Sequence, residues 1–183
     1  MKYDELMVLF HKIGELKRMK RSGWLRHEIQ EPESVADHSF RTAFMAMIVG
    51  DLMDVNTEKL VKMALIHDLA EVVAGDITPH DGITREDKRK REEEGLRQLL
   101  KGVPNGNSYI DLWMEYEEQK SQEARLLRNI DKLEMAIQAA EYQRLYPEKD
   151  LSEFISEAKS HIDIHEVGTL LKEIKNPEST TAR

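Results

Sequence analysis

Three ionisable residues interrupt an otherwise apolar stretch, MALIHDLAEVVA at positions 63–74: His67, Asp68 and Glu71. A helix that is apolar on all sides is normally buried in a core. A buried carboxylate must be paired, neutralised or bound to a metal, because an isolated charge is strongly disfavoured there. Imidazole and carboxylate are common ligands of divalent cations. The stretch therefore indicates either a metal site or a core histidine hydrogen-bonded to its neighbouring aspartate or to the backbone.

Two further residues can complete a metal site, since a His-Asp pair alone is too short to establish one. His38 falls in the first turn of a predicted helix in ESVADHSFRTAFMAMIVG, and Asp131 lies in the largely apolar LLRNIDKLEMAIQAA. Helices that pack together in an all-helical core can bring such residues to one point. The predicted ligand set is His38, His67, Asp68 and Asp131.

The elements that must position these residues are helices. Apolar periodicity, caps and breakers predict them over residues 6–16, 34–54, 57–74, 85–101, 108–119, 121–145, 151–160 and 163–175. Ser34 and Asp37 form a predicted capping box, Thr57 a predicted cap, and Gly75 a stop. No alternating strand pattern of useful length occurs. The sequence predicts an all-α protein with one domain over residues 1–176 and a disordered tail over 177–183.

Composition excludes several functions. The chain has 183 residues, 40% of them hydrophobic, a formal net charge of -8 and no cysteine. The negative charge argues against nucleic-acid polymers and anionic membranes as partners, because phosphate backbones are bound by dense positive charge. The cysteine count excludes disulfides and thiolate sites and is typical of a reducing compartment, so we expect a cytoplasmic protein.

Two other charged features are predicted to be solvated. The run of residues 85–94 is balanced in charge, which is typical of a helix face in water. His161 and His165 are four residues apart but have no third ligand on an apolar face, so they too are predicted to lie on a solvated helix.

The order H…HD…D, with HD inside ALIHDLAEVVAGDITP, the last Asp in NIDKLEMA and ESVADHSFRTA upstream, resembles the HD-domain metal-dependent phosphohydrolases. HD-x-x-E followed by GD-x-x-P is similar to their 5′-deoxynucleotidase branch. The resemblance covers about residues 5–145. It implies an HD-domain helical bundle, with the C-terminal helices continuing to about residue 175.

The resemblance implies one divalent metal ion held by His38, His67, Asp68 and Asp131. Family members with two metals carry extra histidines between the HD pair and the last Asp, where this chain has only His80. Nitrogen and oxygen ligands suit Mn, Co, Ni, Fe and Zn alike, so the identity of the metal stays open.

Further roles are implied for the residues of the flanking motifs. Glu71 would orient the attacking water or shuttle a proton; the alternative is that it holds His67 in one tautomer. Asp76 would lie near the sugar; the alternative is a cap in a turn. Both residues are in the stretch that carries HD-x-x-E and GD-x-x-P.

The family also has an Arg-Trp pair near the phosphate, and here the sequence departs from the pattern. KRSGWLRHE supplies Trp24, but Gly23 precedes it, so Arg21 or Arg26 would provide the guanidinium from a shifted position. Trp24 as a simple packing residue is the alternative.

The implied function is hydrolysis of (deoxy)nucleoside 5′-monophosphates to a nucleoside and phosphate. The alternatives are another HD phosphohydrolase, acting on a nucleoside triphosphate, a guanosine alarmone or a cyclic phosphodiester, and a metal- or nucleotide-binding module without turnover. Base preference and sugar preference cannot be inferred from the residues. A homodimer is expected from the resemblance, with the amphipathic C-terminal helices as a candidate surface.

Overall fold

The computed structural model describes residues 2–77 and 82–174, and no β-strand occurs among them. The all-α prediction is confirmed. The helices are α1 (Tyr3–Ile13), α2 (Ser22–Arg26), α3 (Val35–Leu52), α4 (Thr57–Ile66), α5 (Glu71–Ala74), α6 (Arg85–Leu99), α7 (Gly106–Glu117), α8 (Gln122–Leu145), α9 (Ser152–His161) and α10 (His165–Lys172), with a 3₁₀ turn at Gly14–Lys17. His80 and the predicted tail 177–183 lie outside the described residues.

The longest helix, α8, is the centre of the molecule. Helices α3, α4, α7, α9 and α10 all pack against it. Its apolar residues recur on several sides, and Leu126, Leu127, Ile130 and Ala136 are completely buried. Full burial of a Leu or Ile side chain contributes about 1.5–3 kcal/mol. The core therefore fixes the rotation of α8, and with it the direction of its polar residues.

Helix α3 begins where the sequence predicts. Ser34 N donates to Asp37 Oδ2 (2.8 Å) and Asp37 N donates to Ser34 Oγ (3.1 Å), which is the predicted capping box. The cap of α4 is different from the prediction: Asn56 accepts from Lys59 N, and Thr57 is the first helical residue. The capping box matters for the site because His38 is the next residue after Asp37.

The predicted helix over residues 57–74 is broken at its centre. Helix α4 ends at Ile66, residues 67–70 form a turn, and α5 is only four residues long. Two backbone carbonyls contact side chains there: His67 Nδ1 contacts Ala64 O (2.6 Å), and Trp113 Nε1 donates to His67 O (3.2 Å). The break places His67 and Asp68 in a turn. The predicted stop at Gly75 is observed, with a φ of 84°.

Among the described residues, no helix is long and apolar enough to cross a membrane.

Candidate metal centre

The four predicted ligands converge. His38 on α3 places Nε2 3.3 Å from His67 Nε2, 3.5 Å from Asp68 Oδ2 and 3.2 Å from Asp131 Oδ1. His67 Nε2 is 3.3 Å from Asp68 Oδ2. The two histidines are buried, and the two aspartates are half-buried. One atom from each of four side chains therefore faces a common point between α3, the turn after α4, and α8.

The hydrogen bonds of the two imidazoles leave their Nε2 atoms for a ligand. His38 Nδ1 is 2.5 Å from Glu134 Oε2, and His67 Nδ1 is 2.6 Å from the carbonyl of Ala64. Both partners are acceptors, so each neutral ring carries its hydrogen on Nδ1 and a lone pair on Nε2. Two lone pairs and two carboxylates directed at one point repel one another unless a cation lies between them. This donor set fits a divalent metal ion.

The charges of the site favour a cation there. Burial raises the pKa of Asp131, but Lys132 and His38 outweigh burial and hold this pKa well below its usual value. Burial likewise opposes ionisation of Asp68, while His67 and Arg21 lower its pKa. Burial and Arg21 lower the pKa of His38, but Glu134 and Asp131 raise it to about 10. Positive charge at this point is therefore favoured, whether a metal ion or a proton on His38 supplies it.

Glu134 is a part of the site that the sequence analysis missed. Its side chain is fully buried, and Arg41 Nε donates to its Oε1 at 2.8 Å. Burial raises the pKa of Glu134, but His38 and Arg41 outweigh it and lower this pKa. Glu134 therefore orients His38 as an ionised carboxylate. The available signal was its position in an apolar helix, three residues after Asp131.

Glu71 lies on the wall of the cavity beside the ligands. It is buried, and its Oε2 has no hydrogen-bond partner among residues 2–77 and 82–174. Burial, then Asp68 and Asp76, raise the pKa of Glu71 well above its usual value. The alternative role of Glu71, which was to hold His67 in one tautomer, is filled by the carbonyl of Ala64, which contacts His67 Nδ1.

The cavity has a volume of about 720 Å³ and is lined by Asp68, Glu71 and Asp131 together with residues of α2, α6, α8 and α9. Asp76 also lines it. Its Oδ2 accepts from Ser22 N at 2.5 Å, and Ser22 Oγ donates to Asp76 O at 3.1 Å. Asp76 therefore ties the start of α2 to the segment after α5 while facing the cavity.

The three residues that were predicted to contact the phosphate all line the cavity, but they have different partners. Arg21 Nη1 donates to Asp68 Oδ2 at 3.0 Å, so it pairs with one of the predicted metal ligands. Trp24 is 2% exposed, donates to Glu33 Oε1 and packs against Phe154 with ring centroids 4.1 Å apart. It is a packing residue that also forms cavity wall. Arg26 is exposed at the rim.

The charged helix α6 was predicted to be solvated, but one of its faces lines the cavity. Arg85, Lys88, Arg89 and Glu92 line the cavity, and Lys88 Nζ lies 3.4 Å from Glu92 Oε1. Burial raises the pKa of Glu92 to about 7, although Lys88 lowers it. The prediction failed because a balanced charge run does not show which of its faces meets a neighbouring helix.

Known proteins resemble the chain over almost its full length. A sequence profile of the HD domain matches residues 13–168. The human protein named 5′-deoxynucleotidase HDDC2 is 38% identical over 178 residues, which cover 96% of this chain and 87% of that protein. The fission-yeast 5′-deoxynucleotidase hdd1 is 38% identical over 149 residues, which cover 78% of this chain and 75% of that protein.

A solved structure, the PH0347 protein from Pyrococcus horikoshii, has a TM-score of 0.76 at 35% identity. The match covers 92% of this chain and 97% of that one.

We expect Glu134→Gln to weaken Mn²⁺ binding about 10- to 100-fold, because an amide is a poorer acceptor for His38 Nδ1 than a carboxylate. Isothermal titration calorimetry measures this. Glu141→Gln is the matched control, since Glu141 also binds Arg41 (2.8 Å) but does not contact His38. Equal losses in both variants would assign the effect to Arg41 and contradict the role of Glu134.

Glu92 should make stability depend on pH. Its pKa is raised from 4.5 to about 7 in the folded chain, so its stabilising protonation is complete below pH 4.5 and is lost as pH rises through 7. Glu92→Gln cannot ionise, so its Tm relative to wild type should be higher at about pH 8 than at about pH 5. Exposed Glu94→Gln serves as the control. A difference in Tm that is independent of pH would refute the assignment.

Proposed function

The chain belongs to the HD domain family, and from this we propose that it hydrolyses deoxynucleoside 5′-monophosphates to a nucleoside and inorganic phosphate, with one bound divalent metal ion. The observation that carries the proposal is the convergence of the four ligand atoms on one point beside the cavity. Relatives named 5′-deoxynucleotidases that match most of the chain supply the substrate class.

The four ligands would hold the metal. Bound there, a divalent ion supplies Lewis-acid activation of a phosphoryl oxygen and lowers the pKa of a water molecule. In hydrolysis, an oxygen–phosphorus bond forms from water, the bond from phosphorus to the 5′ oxygen breaks, and one proton passes from the water to the leaving oxygen. The remaining polar residues of the cavity must orient the water, move that proton and hold the substrate.

Glu71 is the residue that we assign to the proton. Its carboxyl is buried at the cavity wall, one oxygen has no partner among the described residues, and its pKa is raised. Once ionised, a carboxylate with a raised pKa can take a proton from water and then give it to the leaving oxygen. Arg21 holds Asp68 in place, and Asp76, fixed by Ser22, is available to the sugar.

We propose that the chain forms a homodimer through a surface other than the one expected from the sequence. Most apolar residues of the C-terminal helices pack into the cores of the chain, and Leu170 is the one large apolar residue of α9 and α10 that is exposed, so these helices offer no apolar stripe. Phe40, Phe44, Ile48 and Leu52 instead lie four residues apart along α3 and are all exposed, Leu52 by 80%. A stripe of large apolar side chains in water favours association with a second copy.

Light scattering tests this surface. The chain should have twice its monomer mass of 21.3 kDa, and Phe44→Glu should be monomeric, because a buried unpaired carboxylate is strongly disfavoured. Leu145→Glu alters an exposed leucine of another helix and should leave the dimer intact. A Phe44→Glu dimer would rule out the α3 stripe.

A phosphate-release panel tests the activity. Ribo- and deoxynucleoside monophosphates should release free phosphate with at least one of Mn²⁺, Co²⁺, Ni²⁺, Fe²⁺ or Zn²⁺. Nucleoside triphosphates, guanosine alarmones and cyclic phosphodiesters distinguish the other phosphohydrolases of this kind. Nucleotide binding without turnover under every metal would contradict the proposal in favour of a binding module.

Glu71→Gln and Asp68→Ala separate chemistry from metal binding. Glu71→Gln should retain Mn²⁺ affinity and lose about 10²- to 10⁴-fold in kcat, which is the usual contribution of a general acid or base. Asp68→Ala should lose metal binding and phosphate release together. A Glu71→Gln enzyme with unchanged kcat would remove Glu71 from the reaction.

A further inference from the structure

Arg128 is a half-buried cation beside the predicted metal ligands, and its side chain has no partner among the described residues. It lies on α8 one helical turn before Asp131, so the two side chains share a face of the helix. It lines the same cavity as Asp68 and Glu71. Its Nε is buried and has no hydrogen-bond partner within residues 2–77 and 82–174, and none of the ion pairs among those residues involves its guanidinium.

Such a group is costly in a folded protein. A buried donor without a partner costs about 1–3 kcal/mol, and more when it is charged. Native structures satisfy almost all buried polar atoms, and the exceptions commonly have a catalytic or ligand-binding role. The nitrogen of Arg128 therefore indicates a ligand that supplies the missing acceptor.

The other cations of the cavity are already engaged or lie in water. Arg21 binds Asp68 (3.0 Å) and Lys132 binds Glu157 (2.9 Å). On α6, Lys88 lies near Glu92 (3.4 Å) and Arg89 near Glu93 (3.7 Å). Arg26 and Arg85 are exposed at the rim. Arg128 is the cavity cation whose Nε is buried and whose donors are unused among the described residues.

The carboxylates that line the cavity mean that a bound phosphate would need a cation beside it. Asp68, Glu71, Asp76 and Asp131 all line it, so an approaching phosphate dianion meets carboxylates as well as the metal site. A guanidinium presents a planar fork of donors that matches two phosphate oxygens. A donor group fixed in advance beside the reacting phosphoryl group can also offset the charge that develops there.

We propose that Arg128 binds the phosphate group of the substrate and donates hydrogen bonds to its oxygens, a role that sequence analysis gave to Arg21 or Arg26. This inference rests on the proposed phosphatase function. Arg21 then has a different task, which is to hold the Asp68 carboxylate at the metal site.

The test compares Arg128→Gln and Arg128→Lys with Arg125→Gln. Arg125 is an exposed residue of the same helix whose side chain makes one hydrogen bond among the described residues, to Gln119 O at 3.4 Å. Three quantities are measured: the Kd of inorganic phosphate for the Mn²⁺-loaded protein by calorimetry, the Tm of the metal-free protein, and kcat and KM for a deoxynucleoside monophosphate.

Arg128→Gln should weaken phosphate binding and lower kcat/KM by about 10- to 100-fold, because charged hydrogen bonds are lost. Its Mn²⁺ affinity should be unchanged and its metal-free Tm equal to or higher than that of wild type, because no ion pair among the described residues is lost. Arg128→Lys should recover part of the phosphate affinity. Arg125→Gln should match wild type in all three measurements.

The inference is overturned if Arg128→Gln keeps phosphate affinity and kcat/KM within about twofold of wild type, or if it lowers Tm by several degrees while phosphate binding is unchanged. Failure of the proposed function gives a different result. In that case wild type releases no phosphate from any monophosphate, while the calorimetric comparison of phosphate binding still decides the role of Arg128.

Discussion

The structure depends on one electrostatic constraint: two imidazole lone pairs and two carboxylates are held together at the edge of an apolar core. This arrangement is unfavourable without a cation, because the facing Nε2 atoms and carboxylate oxygens are all acceptors when the ring hydrogens are on Nδ1. A positive charge is required at their centre, and a metal ion or a proton on His38 can supply it. The surrounding structure consists largely of contacts that keep the four groups in place.

Those contacts fall into two sets: one holds the side chains of the predicted ligands, and the other holds the backbone turn that carries His67 and Asp68. Glu134 on α8 contacts His38 and accepts from Arg41 on α3. Arg21, the residue before α2, donates to Asp68. The turn between α4 and α5 is maintained by side chains, since Trp113 binds the carbonyl of His67. Helix α8 connects both sets of contacts to the main core, because the same helix carries Asp131, Glu134 and many buried apolar residues. Loss of packing around α8 is therefore expected to disturb the ligands as well.

The sequence was sufficient for the helical fold and for the four residues that converge, which remain predicted metal ligands. It failed where contacts between distant helices decide the outcome. His67 and Asp68 could be identified because they interrupt an apolar stretch, and the Ser34–Asp37 capping box is a local feature. The break after Ile66 could not be predicted, because it depends on Trp113 from another helix.

Arg128 and the inner face of α6 were missed for a related reason. Charge and spacing along the chain do not show whether an arginine meets a carboxylate, water or a cavity. Arg21 has a carboxylate partner and Arg128 has none among the described residues, and nothing in their sequence neighbourhoods distinguishes the two.

The most direct test of the central claim is a crystal structure of the chain grown with Zn²⁺, with anomalous data collected at the zinc edge. The account predicts a strong peak about 2.0–2.2 Å from His38 Nε2, His67 Nε2 and carboxylate oxygens of Asp68 and Asp131. A peak elsewhere in the chain, or none at this point while the two imidazoles still face each other, would contradict it.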